Sequence, residues 1–233
     1  VRDASYAITA LARHGYTAEA RAALEFMLRA RSGEYAQAVG MDYLISICRY
    51  YGCGREETDY NEAGPNIEFD DFGLFLWAFS QTVQANPQDD WWKAWWPDVR
   101  SRVADVLAAL VQDSTFLVAP DSSIWERHWN GSEKNFTYTS AMAVAGLCGA
   151  ATLADLMGET QAADRYRRAV SRLRRGIREK LVDGQGVLAG SLQELQQGSG
   201  YLDLAAVEAF NFGAIDIADP IALASMTRWH SVF

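Results

Sequence analysis

One acid set between two indoles dominates the chemistry available to this sequence. In Ser123-Ile124-Trp125-Glu126-Arg127-His128-Trp129, a single carboxylate lies between Trp125 and Trp129, shortly before a long apolar stretch. Aromatic surface strips water from a carboxyl group and disfavours its charged form. That is how a protein keeps a carboxylic acid available as a proton donor near neutral pH. Indole faces are also flat apolar platforms on which a sugar ring can stack. A Trp-Glu pair on its own reads more readily as an exposed acid beside core-filling aromatics, so the other polar clusters have to decide.

Two such clusters stand out, each just ahead of an apolar run. Arg2-Asp3 precedes Ala4-Ser5-Tyr6-Ala7, and Glu68-Phe69-Asp70-Asp71 precedes Phe72-Gly73-Leu74. Arginine offers a planar fork of donors, and a carboxylate accepts from paired hydroxyls. Asp3 also fits a purely local role, since an acid in the first turn of a helix is favourable there. Other chemistries lack their signatures. There is no GxGxxG, P-loop, GxSxG or HExxH motif, and His14, His128 and His230 are scattered. Cys48, Cys53 and Cys148 form no disulfide framework or zinc spacing. We therefore expect no metal and no cofactor.

The elements that must carry these residues are helices of two kinds. Ala4 to Ala12, Phe72 to Val83 and Ala141 to Met157 are apolar nearly all round, which places them in an interior. Between them run amphipathic helices: one from a Thr17 cap through Leu24, Met27 and Leu28, one from about Asp98 to Val111, and one from about Gln161 to Leu181. The last threads Tyr166, Val170, Leu173 and Ile177 through a run of arginines, so its basic residues form a solvated face. Short turns such as His14-Gly15-Tyr16 and Met157-Gly158-Glu159 join each pair. The stretch Tyr43 to Tyr50 fits a short strand or an irregular segment.

Alternation of apolar and amphipathic helices predicts an all-α fold, an α/α toroid with apolar helices inside and amphipathic ones outside. A compact bundle around one central helix is the competing architecture. In a toroid, the segments entering the inner helices lie on one face, so Arg2, Asp3, Glu68, Asp70, Asp71, Trp125 and Glu126 should converge on one mouth. Loops this long and this aromatic inside a domain are more often functional than disordered.

Composition agrees with one large domain over residues 1–233. Hydrophobic residues make up 49% of the chain, enough for a substantial core. With 21 Lys+Arg against 30 Asp+Glu, the net charge of −9 argues against nucleic-acid or anionic-membrane partners. No run of eighteen or more uninterrupted apolar residues suggests a membrane span. The chain opens at Val1 without an initiator Met, so it reads as a fragment whose ends carry no address.

Three ordered blocks resemble one known family. Val1-Arg2-Asp3-Ala4-Ser5-Tyr6-Ala7, followed by Gly15-Tyr16-Thr17-Ala18-Glu19-Ala20, resembles the Arg-Asp-Ala helix of the glucoamylase-like glycoside hydrolases, family 15. Glu68-Phe69-Asp70-Asp71-Phe72-Gly73 resembles a second block, in which Gln often stands at the position of Glu68. Ile124-Trp125-Glu126, followed by Asn135-Phe136-Thr137-Tyr138-Thr139, resembles the segment carrying that family's catalytic acid. The resemblance implies an (α/α)6 toroid, incomplete here at both ends. It also implies inverting hydrolysis of terminal α-linked glucose from an α-glucan or α-glucoside. Glu126 would be the general acid, and Trp125 would pack beside it. Arg2 and Asp3 would hold the terminal glucose, with Glu68, Asp70 and Trp129 as further substrate contacts.

Departures from the family pattern bound this expectation. An inverting hydrolase needs a second carboxylate about 6.5–9.5 Å from the acid to activate water. The family's base lies late in the toroid, and no block of this chain matches it. Glu208, in Val207-Glu208-Ala209-Phe210, is an in-chain carboxylate amid apolar residues and a poor substitute. Arg127 stands where many relatives carry a second acid. The alternative is a non-catalytic, glucan-binding domain of the glucoamylase-like kind found in regulatory subunits of phosphorylase kinase.

Overall fold

A computed structural model describes residues 1–126 and 131–233. Helix α1 (Arg2–Arg13) turns back into α2 (Thr17–Arg29), and a single turn, α3 (Ala36–Val39), follows. Two small antiparallel pairs fill the next segment: β1 (Arg49–Tyr50) with β2 (Glu56–Glu57), and β3 (Tyr60–Asn61) with β4 (Gly64–Pro65). Arg49 stands opposite Glu57 and Tyr60 opposite Pro65. Helix α4 (Asp70–Ala85) leads to α5 (Trp91–Val99), a π-helical turn at Arg100–Ala104, and α6 (Asp105–Ala109). Helices α7 (Thr137–Leu156) and α8 (Thr160–Lys180) form the longest pair. The shorter α9 (Leu192–Gln197), α10 (Glu208–Asn211) and α11 (Pro220–His230) close the chain.

The fold is all-α with an inner row α1–α4–α7, in which α4 packs against both neighbours and α10 continues the row beyond α7. Helix α2 backs α1, and α8 backs α7. Helix α8 behaves as its pattern requires: Tyr166, Val170, Leu173 and Ile177 are buried, while its arginines pair with Asp105, Asp113, Asp155 and Asp219 around the outside. Helix α7 is long and apolar enough to cross a membrane by composition, yet it is the buried centre of this layer.

Glycine sets the spacing of the inner row. A Cβ on Gly73 would collide with the carbonyl of Met142, and one on Gly146 with the backbone of Gly73. The α4 and α7 backbones therefore touch directly. This is the close approach that a helix pair reaches only where a side chain is missing.

Three local expectations are corrected. Helix α1 is not buried all round, because Ala7 and Ala10 are exposed; alanine's small side chain is compatible with either environment. Thr17 is the first helical residue, not the cap, and Tyr16 occupies the cap position without a side-chain hydrogen bond. The helix expected from Asp98 starts at Trp91 and runs through Pro97. Burial of Trp92 and Trp96 outweighs the helix-breaking effect of the proline, and a π-turn follows just beyond. The ambiguous stretch before Tyr50 resolves into a buried irregular segment ending in β1.

Candidate active site

Four segments meet where the inner helices begin: the first turn of α1, the stretch 44–50, the entry to α4, and the loop 121–126. Backbone hydrogen bonds stitch them together, Glu68 N–H to Ile47 O at 2.9 Å and Ser122 N–H to Ile67 O at 2.9 Å. Buried Asp121 accepts from Phe69 N–H at 2.9 Å and from Thr139 Oγ1 at 2.9 Å, which ties the loop to the starts of both α4 and α7. Thr139 Oγ1 also lies 3.0 Å from Ser123 Oγ.

At this junction lies a cavity of about 630 Å³ whose polar wall includes Arg2, Asp3, Cys48, Arg49, Glu68 and Glu126. Phe26 and Tyr50 supply aromatic surface. Arg2 is held from behind by a fork: Nε donates to Asp70 Oδ2 at 2.8 Å, and Nη2 reaches Asp70 Oδ1 at 3.2 Å. Nη2 also donates to Glu68 Oε2 at 2.6 Å and to Ser123 O at 3.3 Å. Glu68 Oε1 accepts from Asn66 Nδ2 at 2.8 Å and from the Cys48 thiol at 3.1 Å. Near Arg2, the hydroxyls of Tyr6 and Tyr138 lie 3.4 Å apart.

Burial works against the Arg2 charge, but Asp70, Asp71 and Glu68 outweigh it and hold the guanidinium firmly protonated. Burial likewise pushes Glu68 up to about 7 against the pull of Arg2, with Asp70 and Glu126 adding to the rise. Asp71 and Asp121 are pushed well above the ordinary carboxylate range by complete burial. The Cys48 thiol is raised by burial and by Glu68, so it stays a neutral S–H donor. The wall thus presents two guanidinium groups, Arg2 and Arg49, among the carboxyl groups of Asp3, Glu68 and Glu126. Such a site can donate hydrogen bonds to hydroxyls, accept from them, and deliver a proton.

The expected residues are brought together selectively. Arg2, Asp3, Glu68 and Glu126 line one cavity although up to 124 positions separate them. Asp70 is fully buried and grips Arg2 without reaching the cavity surface. Trp125 departs from expectation. Its indole N–H donates to both Asp203 oxygens at 2.9 Å, and it lines a separate groove of about 480 Å³ with Phe136, Leu202 and Leu204. Ser123 and Glu126 both sit at φ +53, in the left-handed region, and these two turns send Trp125 and Glu126 to different sides. The desolvating partner expected for Glu126 is therefore not Trp125. Two non-glycine residues held this way in four positions are a form of strain that concentrates at working sites. Trp129, together with Arg127 and His128, lies outside the described residues. Glu208, on α10, accepts from Asn211 and is not among the residues lining the cavity.

Reading the sequence missed Cys48 in the wall itself, and Asn66, Asp121, Ser123 and Thr139, which hold the wall residues and the loop in place. The one available signal was the polar run Asn135-Phe136-Thr137-Tyr138-Thr139 at the head of an apolar helix, where Thr139 proves to be a loop anchor.

Residues 58–228 match the family model described as glycosyl hydrolases family 15. Solved structures of similar fold include a glycosidase variant with one glutamate replaced by alanine, matched at TM-score 0.72 and 20% identity over 97% of this chain and 58% of that one. A second glutamate-to-alanine glycosidase variant, in complex with glucose, matches at TM-score 0.70 and 20% identity over 96% and 57%. A wild-type glycosidase matches at TM-score 0.69 and 20% identity over 96% and 57%. This chain spans under two thirds of the length of these structures. No curated protein matches it.

Proposed function

Because this chain belongs to glycosyl hydrolase family 15, we propose that it carries the general-acid half of an inverting α-glucosidase acting on terminal, α-linked glucose. In this reading, Glu126 protonates the glycosidic oxygen. Arg2 donates to hydroxyls of the terminal sugar, and Asp3 accepts from them. The observation that carries the reading is that Arg2, Asp3 and Glu126, remote in sequence, share the wall of one cavity large enough for a sugar. A glucose-bound structure among those of similar fold supports a carbohydrate ligand.

The reading assigns water activation to none of the three carboxylates described in this wall. Asp3 is given to the sugar, Glu126 to the leaving group, and Glu68 is engaged with Arg2, Asn66 and Cys48.

The test is Glu126→Gln in the full-length protein, assayed by glucose release from maltooligosaccharides and by calorimetric glucose binding. The amide preserves shape but has no proton to give, so kcat is expected to fall about 10²–10⁴-fold with binding retained. Retention of most activity would rule out Glu126 as the acid. A full-length wild-type protein that binds glucose but hydrolyses none of these substrates would favour the non-catalytic, glucan-binding reading.

A further inference from the structure

Glu68 lines the cavity, yet its oxygens are occupied by the protein. Oε2 accepts from Arg2 Nη2 at 2.6 Å, while Oε1 accepts from Asn66 Nδ2 at 2.8 Å and from the Cys48 thiol at 3.1 Å. Asp70 takes Arg2 Nε and shares Nη2 from the buried side. Together with Ser123 O, these acceptors engage Nε and Nη2 and leave Nη1 without a hydrogen-bond partner among the described residues. The Arg2 side chain is 13% exposed and forms part of the cavity wall. We propose that Glu68 is a positioning residue that holds Arg2 so that Nη1 faces a sugar hydroxyl, and that protonation of Glu68 releases this hold and weakens sugar binding. The inference rests on the reading of the cavity as a terminal-sugar site.

The surroundings make Glu68 the group that can switch. It is faced by Arg2 and Asp3 from α1, by Cys48 and Arg49 from the segment entering β1, by Asp70 and Asp71 from α4, and by Asp121 and Glu126 from the loop 121–126, here the acid loop. Arg2 stays charged throughout. Cys48 stays a neutral donor. Burial sets Glu68 to about 7, so its charge changes across neutrality. Charged, it completes a two-acid clamp on the guanidinium; protonated, it no longer offers a charge-assisted acceptor, and Asp70 and Ser123 O remain alone. A side chain as long as arginine then regains rotamer freedom, and the donor meant for the sugar is no longer aimed.

The experiment uses the full-length protein with carboxyl-¹³C glutamate and ¹⁵N-labelled arginine. The carboxyl resonance that disappears in Glu68→Gln is expected to titrate near neutral pH, and the Arg2 Nε resonance to shift with the same midpoint. Glucose affinity, measured by calorimetry, is expected to weaken about tenfold between about pH 8.5 and about pH 5.5, and to be flat in Glu68→Gln. An unchanged pH dependence in Glu68→Gln overturns the proposal. So does an Arg2 Nε that ignores the Glu68 titration, a readout that holds even if the variant folds poorly. Glucose that fails to bind at any pH, while Arg2 follows Glu68, overturns both the sugar-affinity claim and the sugar-site reading but establishes the coupling between the two side chains.

Discussion

At the residue scale, the site is organised around the guanidinium of Arg2. Its acceptors, the two Asp70 oxygens, Glu68 Oε2 and Ser123 O, come from α4, the entry to α4 and the acid loop. One planar fork can reach all of them; a lysine ammonium, a point charge on a flexible stem, cannot. Arg2→Lys should therefore leave at least one buried acid poorly paired, destabilising the protein by about 2–4 kcal/mol. Urea titration of the variant measures this directly, and a loss below about 0.5 kcal/mol would show that Asp70 and Glu68 do not depend on the fork. Trp125 is organised differently, by a single indole donor on Asp203.

At the element scale, the position of the acid loop follows from how closely α4 and α7 approach. The loop is anchored to Phe69, just before α4, and to Thr139, in the first turn of α7, through one buried carboxylate, Asp121. Separating the two helices would pull these anchors apart. Gly146→Ala should do so, because the added methyl would meet the Gly73 backbone, which has no flexible side chain to give way. Overpacking of this kind costs about 1–3 kcal/mol. Thermal melting should register a lower midpoint, and Gly158→Ala, at an open turn with positive φ, should show strain without any such collision. Equal losses in catalytic rate per unit of destabilisation in both variants would argue that helix spacing does not control the loop.

At the scale of the whole molecule, the buried acids give stability a distinctive pH dependence. Glu68 is raised from its ordinary 4.5 to about 7, and Asp71 and Asp121 are also raised, in each case by burial. Between the unfolded and folded values, the folded state binds more protons than the unfolded chain, so stability must fall as pH rises through that window. For Glu68, the window runs from about pH 4.5 to about pH 7. Asp59 and Asp219 act with the opposite sign, since Arg49 and Arg178 lower them, but their window lies below their ordinary 3.8. Urea midpoints are expected to decline from about pH 5 to about pH 7, and less steeply in Glu68→Gln. A rise over that interval would mean that these acids are not held protonated by the fold.

Periodicity and residue type alone determined the helical class, the alternation of apolar and amphipathic helices, and three of the four segments from which the site is built, the stretch 44–50 being the exception. Each of these follows from local patterning: apolar on all sides for α4 and α7, a four-three repeat for α8, and polar clusters at helix entrances. The tertiary structure decided what each polar residue does. Asp70 and Glu126 look alike in sequence, each an acid ahead of an apolar helix, yet one is sealed behind Arg2 and the other lines the cavity. Trp125 and Glu126 are neighbours in sequence, yet two left-handed residues turn them into separate cavities. Spacing along a helix encodes which face is apolar, because that face is set by local geometry. Which way a loop side chain points, and how strongly a carboxyl group holds its proton, depend on partners remote in sequence, such as Asp203 for Trp125 and Arg2 for Glu68, and on the water that those partners exclude.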